Sequence, residues 1–194
     1  MSAARVVVDR PLAAQLLSLM SYQMASMGKA HDAALLARSA VTGAGDASPL
    51  VRALLWERVA WASSRSRDCS GTRRALAAVD DAYEERSVGV AEPEWVYWLD
   101  RKEIDVMAGR CLIELGDPHA AALLLDRAID SYDADHVREV ALYLSWLAEA
   151  YARAGARDAA HDTLARACEF ARKTNSVRLD LRIDEVGILL SRGS

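Results

Sequence analysis

The chain has 194 residues, with 24 Lys+Arg against 28 Asp+Glu, a formal net charge of −4 and 52% apolar residues. That length suffices to bury one continuous core, and a near-neutral balance of 27% charged residues excludes a disordered acidic tail and a basic nucleic-acid arm. Ten Gly and four Pro are few for a protein of short strands and tight turns, whereas the abundance of Ala favours closely packed helices.

The opening stretch AARVVVDRPLAAQLLSLM is cut by Asp9, Arg10, Pro11 and Gln15, so it does not read as a signal peptide. No uncharged stretch reaches the ~18 apolar residues that a membrane span requires. Downstream, helical periodicity predicts first helices at 11–27, 49–66, 93–115 and 136–154, each followed by a second helix, at 30–42, 70–86, 118–131 and 157–173. A last helix at 176–191 follows Asn175-Ser176 and sets Leu179, Ile183, Val186 and Leu190 on one face. Pro49, Pro93 and Pro118 fall at the first turns of predicted helices, where a missing N–H costs little.

The helices recur. Gly28, Gly116 and Gly155 each close one apolar-periodic stretch and open another, with Ala five residues on (Ala33, Ala121, Ala160) and again at twelve (Ala40, Ala128, Ala167). Gly116 to Gly155 is 39 residues, and a step of 39 from Gly28 lands on Arg67, which stands where the other turns have Gly. The remaining interval, 49 residues, is one period plus ten. Gly ends a helix by taking the left-handed conformation, and small residues at the crossing let two helices approach closely. Because Arg takes that conformation less readily, the second turn is expected to differ in shape or be looser. The repeats are placed at about 14–52, 53–101, 102–140 and 141–175, within one domain spanning 1–194.

Small residues occupy the eighth position of every repeat (Ser21, Ala60, Gly109, Ala148) and the twentieth (Ala33, Thr72, Ala121, Ala160), while Trp56 and Tyr151 supply large residues at the fourth and eleventh. This resembles a tetratricopeptide (TPR) array over about residues 12–175. The period of 39 departs from the usual 34, and no proline closes a repeat. HEAT-like or armadillo-like helix pairs are the alternative. More narrowly, ALLWERVAWASSRSRD, EPEWVYWLDRKEIDVMAGRCLIELGDP and ALYLSWLAEAYARAGARDAA resemble the C-terminal TPR-like region of actinobacterial helix-turn-helix transcriptional regulators. An Arg to Lys ratio of 21 to 3 fits a GC-rich bacterial genome. The resemblance implies an all-α, TPR-like right-handed α-solenoid of four helical hairpins plus a C-terminal capping helix, acting as the sensor or partner-binding part of a regulator. A DNA-reading module of ~60 residues is not found in this sequence, so direct nucleic-acid contact is not expected. The chain is expected to be either an excised sensor region or a stand-alone relative.

In such arrays the first helices line a concave groove. The ninth position gives Tyr22, Trp61, Arg110 and Glu149, and the fifth gives Ser18, Glu57, Val106 and Ser145; the thirteenth gives Ser26, Arg65, Glu114 and Arg153. From these rows the candidate ligand-binding residues are Tyr22, Trp61, Arg65, Val106, Arg110, Ser145, Glu149 and Arg153. Rings for apolar side chains and guanidiniums for carbonyls suit an extended peptide or protein segment. The same rows read equally as a solvated inner face or as a surface filled by the terminal helix. Trp95, Trp98 and Leu99 share a helical face if the helix starts at 93, which makes them core, with Tyr97 pointing elsewhere. Arg65, Arg67, Arg73 and Arg74 cluster at the second turn beside Asp68, as an exposed turn or a contact for an acidic partner.

Catalytic motifs are not found. The four histidines (His31, His119, His136, His161) are scattered, and the sequence holds no HExxH, GxxxxGK, GxGxxG or GxSxG. Cys69, Cys111 and Cys168 lack CxxC spacing, which fits a reducing cytoplasm. The expectation is a cytoplasmic binding protein, not an enzyme, with no cofactor, no metal and no membrane contact. Its apolar patches on the first and terminal helices make a homodimer an open alternative.

Overall fold

The computed structural model describes residues 9–87, 89–133 and 135–192. Among them the regular structure is all helical: α1 (Arg10–Ser26), α2 (Ala30–Gly43), α3 (Pro49–Arg65), α4 (Cys69–Glu84), a 3₁₀ turn at Glu94–Val96, α5 (Arg101–Leu115), α6 (Pro118–Asp130), α7 (Val137–Arg153), α8 (Arg157–Ala171) and α9 (Val177–Arg192). Eight of the nine α-helices match their predicted bounds to within two residues. None is long and apolar enough to cross a membrane. The chain divides into two compact units, Met1–Asp100 and Arg101–Ser194.

All four hairpin turns share one conformation. Gly28, Gly116 and Gly155 have φ of 80–81°, and Arg67 has 59°. The residue after each donates its N–H to the carbonyl five back: Lys29 to Met24 at 2.9 Å, Asp68 to Ser63 at 3.0 Å, Asp117 to Leu112 at 2.9 Å and Ala156 to Tyr151 at 3.0 Å. These are Schellman closures, and each second helix begins two residues past the left-handed residue. The second turn is therefore not looser, which corrects the expectation for Arg67. Local bonds hold it: Asp68 Oδ1 accepts from Gly71 N at 2.8 Å, Ser66 Oγ donates to Ser63 O at 2.9 Å and Thr72 Oγ1 donates to Asp68 O at 2.8 Å.

In the first unit α1, α2 and α4 all pack on α3, and twelve of the seventeen residues of α3 are buried. The inserted segment departs from prediction. The helix expected from 93 begins at Arg101, and Glu94–Val96 is a single 3₁₀ turn instead. Val96 and Leu99 are its buried anchors, whereas Trp95 and Trp98 are only half-buried and Tyr97 is exposed. Here a helical face set by the two tryptophans loses to a short turn whose aliphatic residues bury completely. Just before that turn, Glu92 Oε1 accepts from Leu50 N at 3.1 Å and its other oxygen takes the Ser48 hydroxyl. Ser48, the residue at the start of α3, makes no side-chain cap of its own, so Glu92 satisfies an open N–H from 42 residues away.

In the second unit α5/α6 and α7/α8 form hairpins, α5 also touches α7, and α9 packs on both α7 and α8. Leu125, Leu144, Leu147 and Ile129 head its main core. Leu179, Val186 and Leu190 of α9 are buried as expected of a capping face, with Ile183 packed alongside. Asp105, itself buried, accepts from Arg101 Nη2 at 2.9 Å and Arg127 Nη2 at 2.6 Å, which ties α5 to α6. Arg157 Nη2 donates to Leu190 O at 2.9 Å, giving an open carbonyl near the end of α9 a donor.

Candidate functional site

In the first unit α1 and α3 bring Tyr22 and Trp61 together, with ring centroids 6.2 Å apart and an interplanar angle of 33°. Two guanidiniums flank the pair: Arg58 lies 4.8 Å over the Tyr22 ring and Arg65 lies 5.7 Å over Trp61. Trp61 is only 7% exposed. The pair is thus largely packed, and cation–π contact on a partly desolvated ring adds to its stability.

In the second unit the row residues divide. Val106 is part of the main core. Ser145 is fully buried and donates its hydroxyl to Leu142 O at 2.5 Å. Arg110, 9% exposed, sets its guanidinium 4.0 Å over the Trp146 ring and Nη1 3.8 Å from Met107 Sδ. Trp146 stacks in turn on Tyr143 at 5.7 Å, and Tyr143 meets Tyr132 edge-on at 5.4 Å. Both tyrosine hydroxyls donate to Glu103 Oε1 at 2.5 Å. Burial, then the Glu103 carboxylate, pushes the Tyr143 hydroxyl well above its ordinary range, so it stays a neutral donor.

Glu149 and Arg153 are the row residues that line a cavity. Glu149 Oε1 accepts from Arg153 Nε at 2.7 Å, and its other oxygen takes Arg182 of α9, whose Nη1 lies 3.4 Å from Glu185. Burial alone would raise the Glu149 carboxyl, but the Arg182 and Arg153 guanidiniums together hold it below its ordinary value. Beside this network, α7 and α9 border an open-sided cavity of about 270 Å³ lined by Glu149, Arg153, Arg182, Glu185, Val186, Ile188, Leu189 and Arg192. Three guanidiniums against two carboxylates leave it net positive over an aliphatic wall. A second cavity of about 200 Å³, lined by Arg138, Glu139, Leu142, Tyr143, Ser176, Arg178 and Leu179, also lies between α7 and α9. Sequence reasoning missed Arg182, Leu189 and Arg192. The alternation of charge along α9 was the available signal, since a helix charged on one face and apolar on the other meets its neighbour at the boundary. Among the described residues no group of three or more His, Cys, Asp or Glu is arranged to hold a metal ion.

No protein-family model, curated protein or solved structure matches the chain.

Proposed function

We propose that this is a TPR-like right-handed α-solenoid that binds a peptide or protein segment, as the partner-binding or sensor part of a bacterial transcriptional regulator acting in the cytoplasm. The observation that carries the reading is the cavity between α7 and α9, where the expected ligand residues Glu149 and Arg153 meet Arg182, Arg192 and an aliphatic wall. Arg153 and Arg192 supply donors for peptide carbonyls, and Ile188 and Leu189 supply a surface for one apolar side chain. Its volume lies below the ~300–1,000 Å³ of pockets that enclose a drug-sized ligand, which suits one residue of a longer chain. The repeated hairpin turns and the small residues at each crossing support the TPR-like reading.

A random peptide library displayed on phage and panned on the full chain tests this. Selected peptides should bind the wild type and lose at least about tenfold in affinity, or ~1.4 kcal/mol, in Arg153→Ala and Arg192→Ala. Arg172→Ala, at an exposed position after α8, serves as the control. Failure to enrich any peptide, or equal binding by both cavity variants, overturns the reading. The second reading, a small-molecule sensor, has the separate cavity at Tyr143 in its favour. Native mass spectrometry of the protein from its own host distinguishes the two by the mass that stays bound.

A further inference from the structure

We propose that the outer face of α1 pairs with the same face of a second copy of this chain. α1 buries Ala14, Ser18, Ser21 and Ala25 and packs against α2 and α3. Its other side presents Leu12, Leu16, Leu19 and Met20 to solvent, at 43–57% exposure. Four bulky apolar residues side by side on one helix are a contiguous patch, unlike a scatter of single exposed leucines.

Charge selects the occupant. From Pro11 to Gly28 the sequence contains no Asp, Glu, Lys or Arg, and the one charged residue of α1, Arg10 at its first position, donates its Nε to Gly43 O at 3.1 Å; every other described α-helix carries two or more charged residues. A partner recognised by charge finds nothing to read on the face that holds Leu12, Leu16, Leu19 and Met20. A two-fold interface has the opposite requirement, because each side chain near the axis meets its own twin or a near neighbour, and any charge there opposes a like charge. An uncharged apolar face is complementary to itself. The spacing agrees: Leu12, Leu16 and Leu19, four and three apart, form the narrow seam of a two-stranded helix pair. An antiparallel crossing centred on Leu16 sets Leu12 of one copy opposite Met20 of the other. This inference does not depend on the peptide cavity, which lies in the other unit.

The test is sedimentation equilibrium of the full chain over roughly 1–200 µM, reaching the weak end of the affinities that small interfaces show. The wild type should move from 21.2 kDa towards twice that mass as concentration rises. Leu16→Glu and Leu16→Lys should each remain monomeric, since the new charge faces its own twin. An equal mixture of the two should recover the dimer through opposite charges. Leu16 is 57% exposed, so both variants keep the fold, which circular dichroism verifies. A wild type that stays monomeric throughout, a dimer that survives Leu16→Glu, or a mixture that stays monomeric each overturns the proposal.

Discussion

Glu149 of α7 and Arg182 of α9 form an ion pair whose side chains are 12% and 18% exposed, joining the last hairpin to the helix that follows it. Arg153 engages the same carboxylate from one turn along α7. Removing the acid leaves a largely buried guanidinium with only the exposed Glu185, 3.4 Å away, as counter-charge. Glu149→Gln should therefore destabilise the second unit by roughly 2–3 kcal/mol at neutral pH, somewhat under the 3–5 kcal/mol of fully buried pairs. The pH dependence has a defined sign. A carboxyl held below its ordinary value of 4.5 contributes stability that is present above that value and is lost as pH falls through the lower folded-state value. Wild-type unfolding midpoints in urea should fall steeply below about pH 4.5, and Glu149→Gln should flatten that slope.

Arg67 has φ 59° in the same closure that Gly makes at the other three turns. A left-handed residue with a Cβ costs about 1–2 kcal/mol, partly offset because Gly has more freedom to lose on folding. Arg67→Gly should thus stabilise by about 1 kcal/mol, raising the melting temperature by roughly 2–4 °C. The reverse experiment is Gly116→Ala. A Cβ there meets nothing within 4 Å, so its loss of about 1 kcal/mol measures the backbone conformation without steric contact. Equal melting temperatures for Arg67→Gly and the wild type would mean that the turn is held by Asp68 and Thr72 alone.

This turn also shows how much of the fold is legible in the sequence. Left-handed residues at a fixed interval, small residues at the crossings and an apolar period near 3.6 are local signals, and they placed eight helices closely. The segment 93–100 was misjudged because Trp95, Trp98 and Leu99 fit a helical face, and the pattern could not reveal that Val96 and Leu99 would be the buried anchors. The candidate site was legible only in part. Repeat position put Glu149 and Arg153 beside open space, but also named Val106 and Ser145, which are buried. Nothing at those positions signals how closely the neighbouring helix approaches; that is decided by tertiary packing.

The four second helices begin at equivalent positions but are capped unequally. Asp68 and Asp117 accept from the N–H three residues on, at 2.8 Å from Gly71 and 3.3 Å from Ala120. The bond from Gly71 also holds the Asp68 carboxyl below its ordinary value. Lys29 and Ala156 occupy the same place with no side-chain cap. Lys29→Asp and Ala156→Asp should each stabilise by about 0.5–1 kcal/mol, the usual worth of an N-cap. An aspartate at these sites also favours the positive end of the helix dipole. Thermal melts of the single and double variants check both size and additivity, since the two turns lie in different units.

The helix crossings give the sharpest steric test. In the first hairpin Ser21 donates its hydroxyl to Ala33 O at 2.8 Å. In the third, a Cβ on Gly109 would lie 3.3 Å from the corresponding carbonyl, Ala121 O, and 2.8 Å from Leu125 Cγ. The eighth-position residue thus rests on the carbonyl of the twentieth in both, but the third crossing is closer and admits no side chain without movement. Gly109→Ala should force Leu125 to shift, and overpacking of this kind costs roughly 1–3 kcal/mol. The better helix propensity of Ala returns up to about 1 kcal/mol, so the net loss should be small for Ala and severe for Gly109→Leu. Ser21→Ala removes one buried hydrogen bond and should cost about 1 kcal/mol with no steric penalty. Urea denaturation followed by fluorescence, with Trp146 as the tryptophan that packs in the same core as Leu125 and the other four in the first unit, reports the two Gly109 variants through the transition that the variants shift. A Gly109→Leu protein as stable as the wild type would show that α5 and α6 separate freely at this point, and the close crossing would then not be what holds the hairpin together.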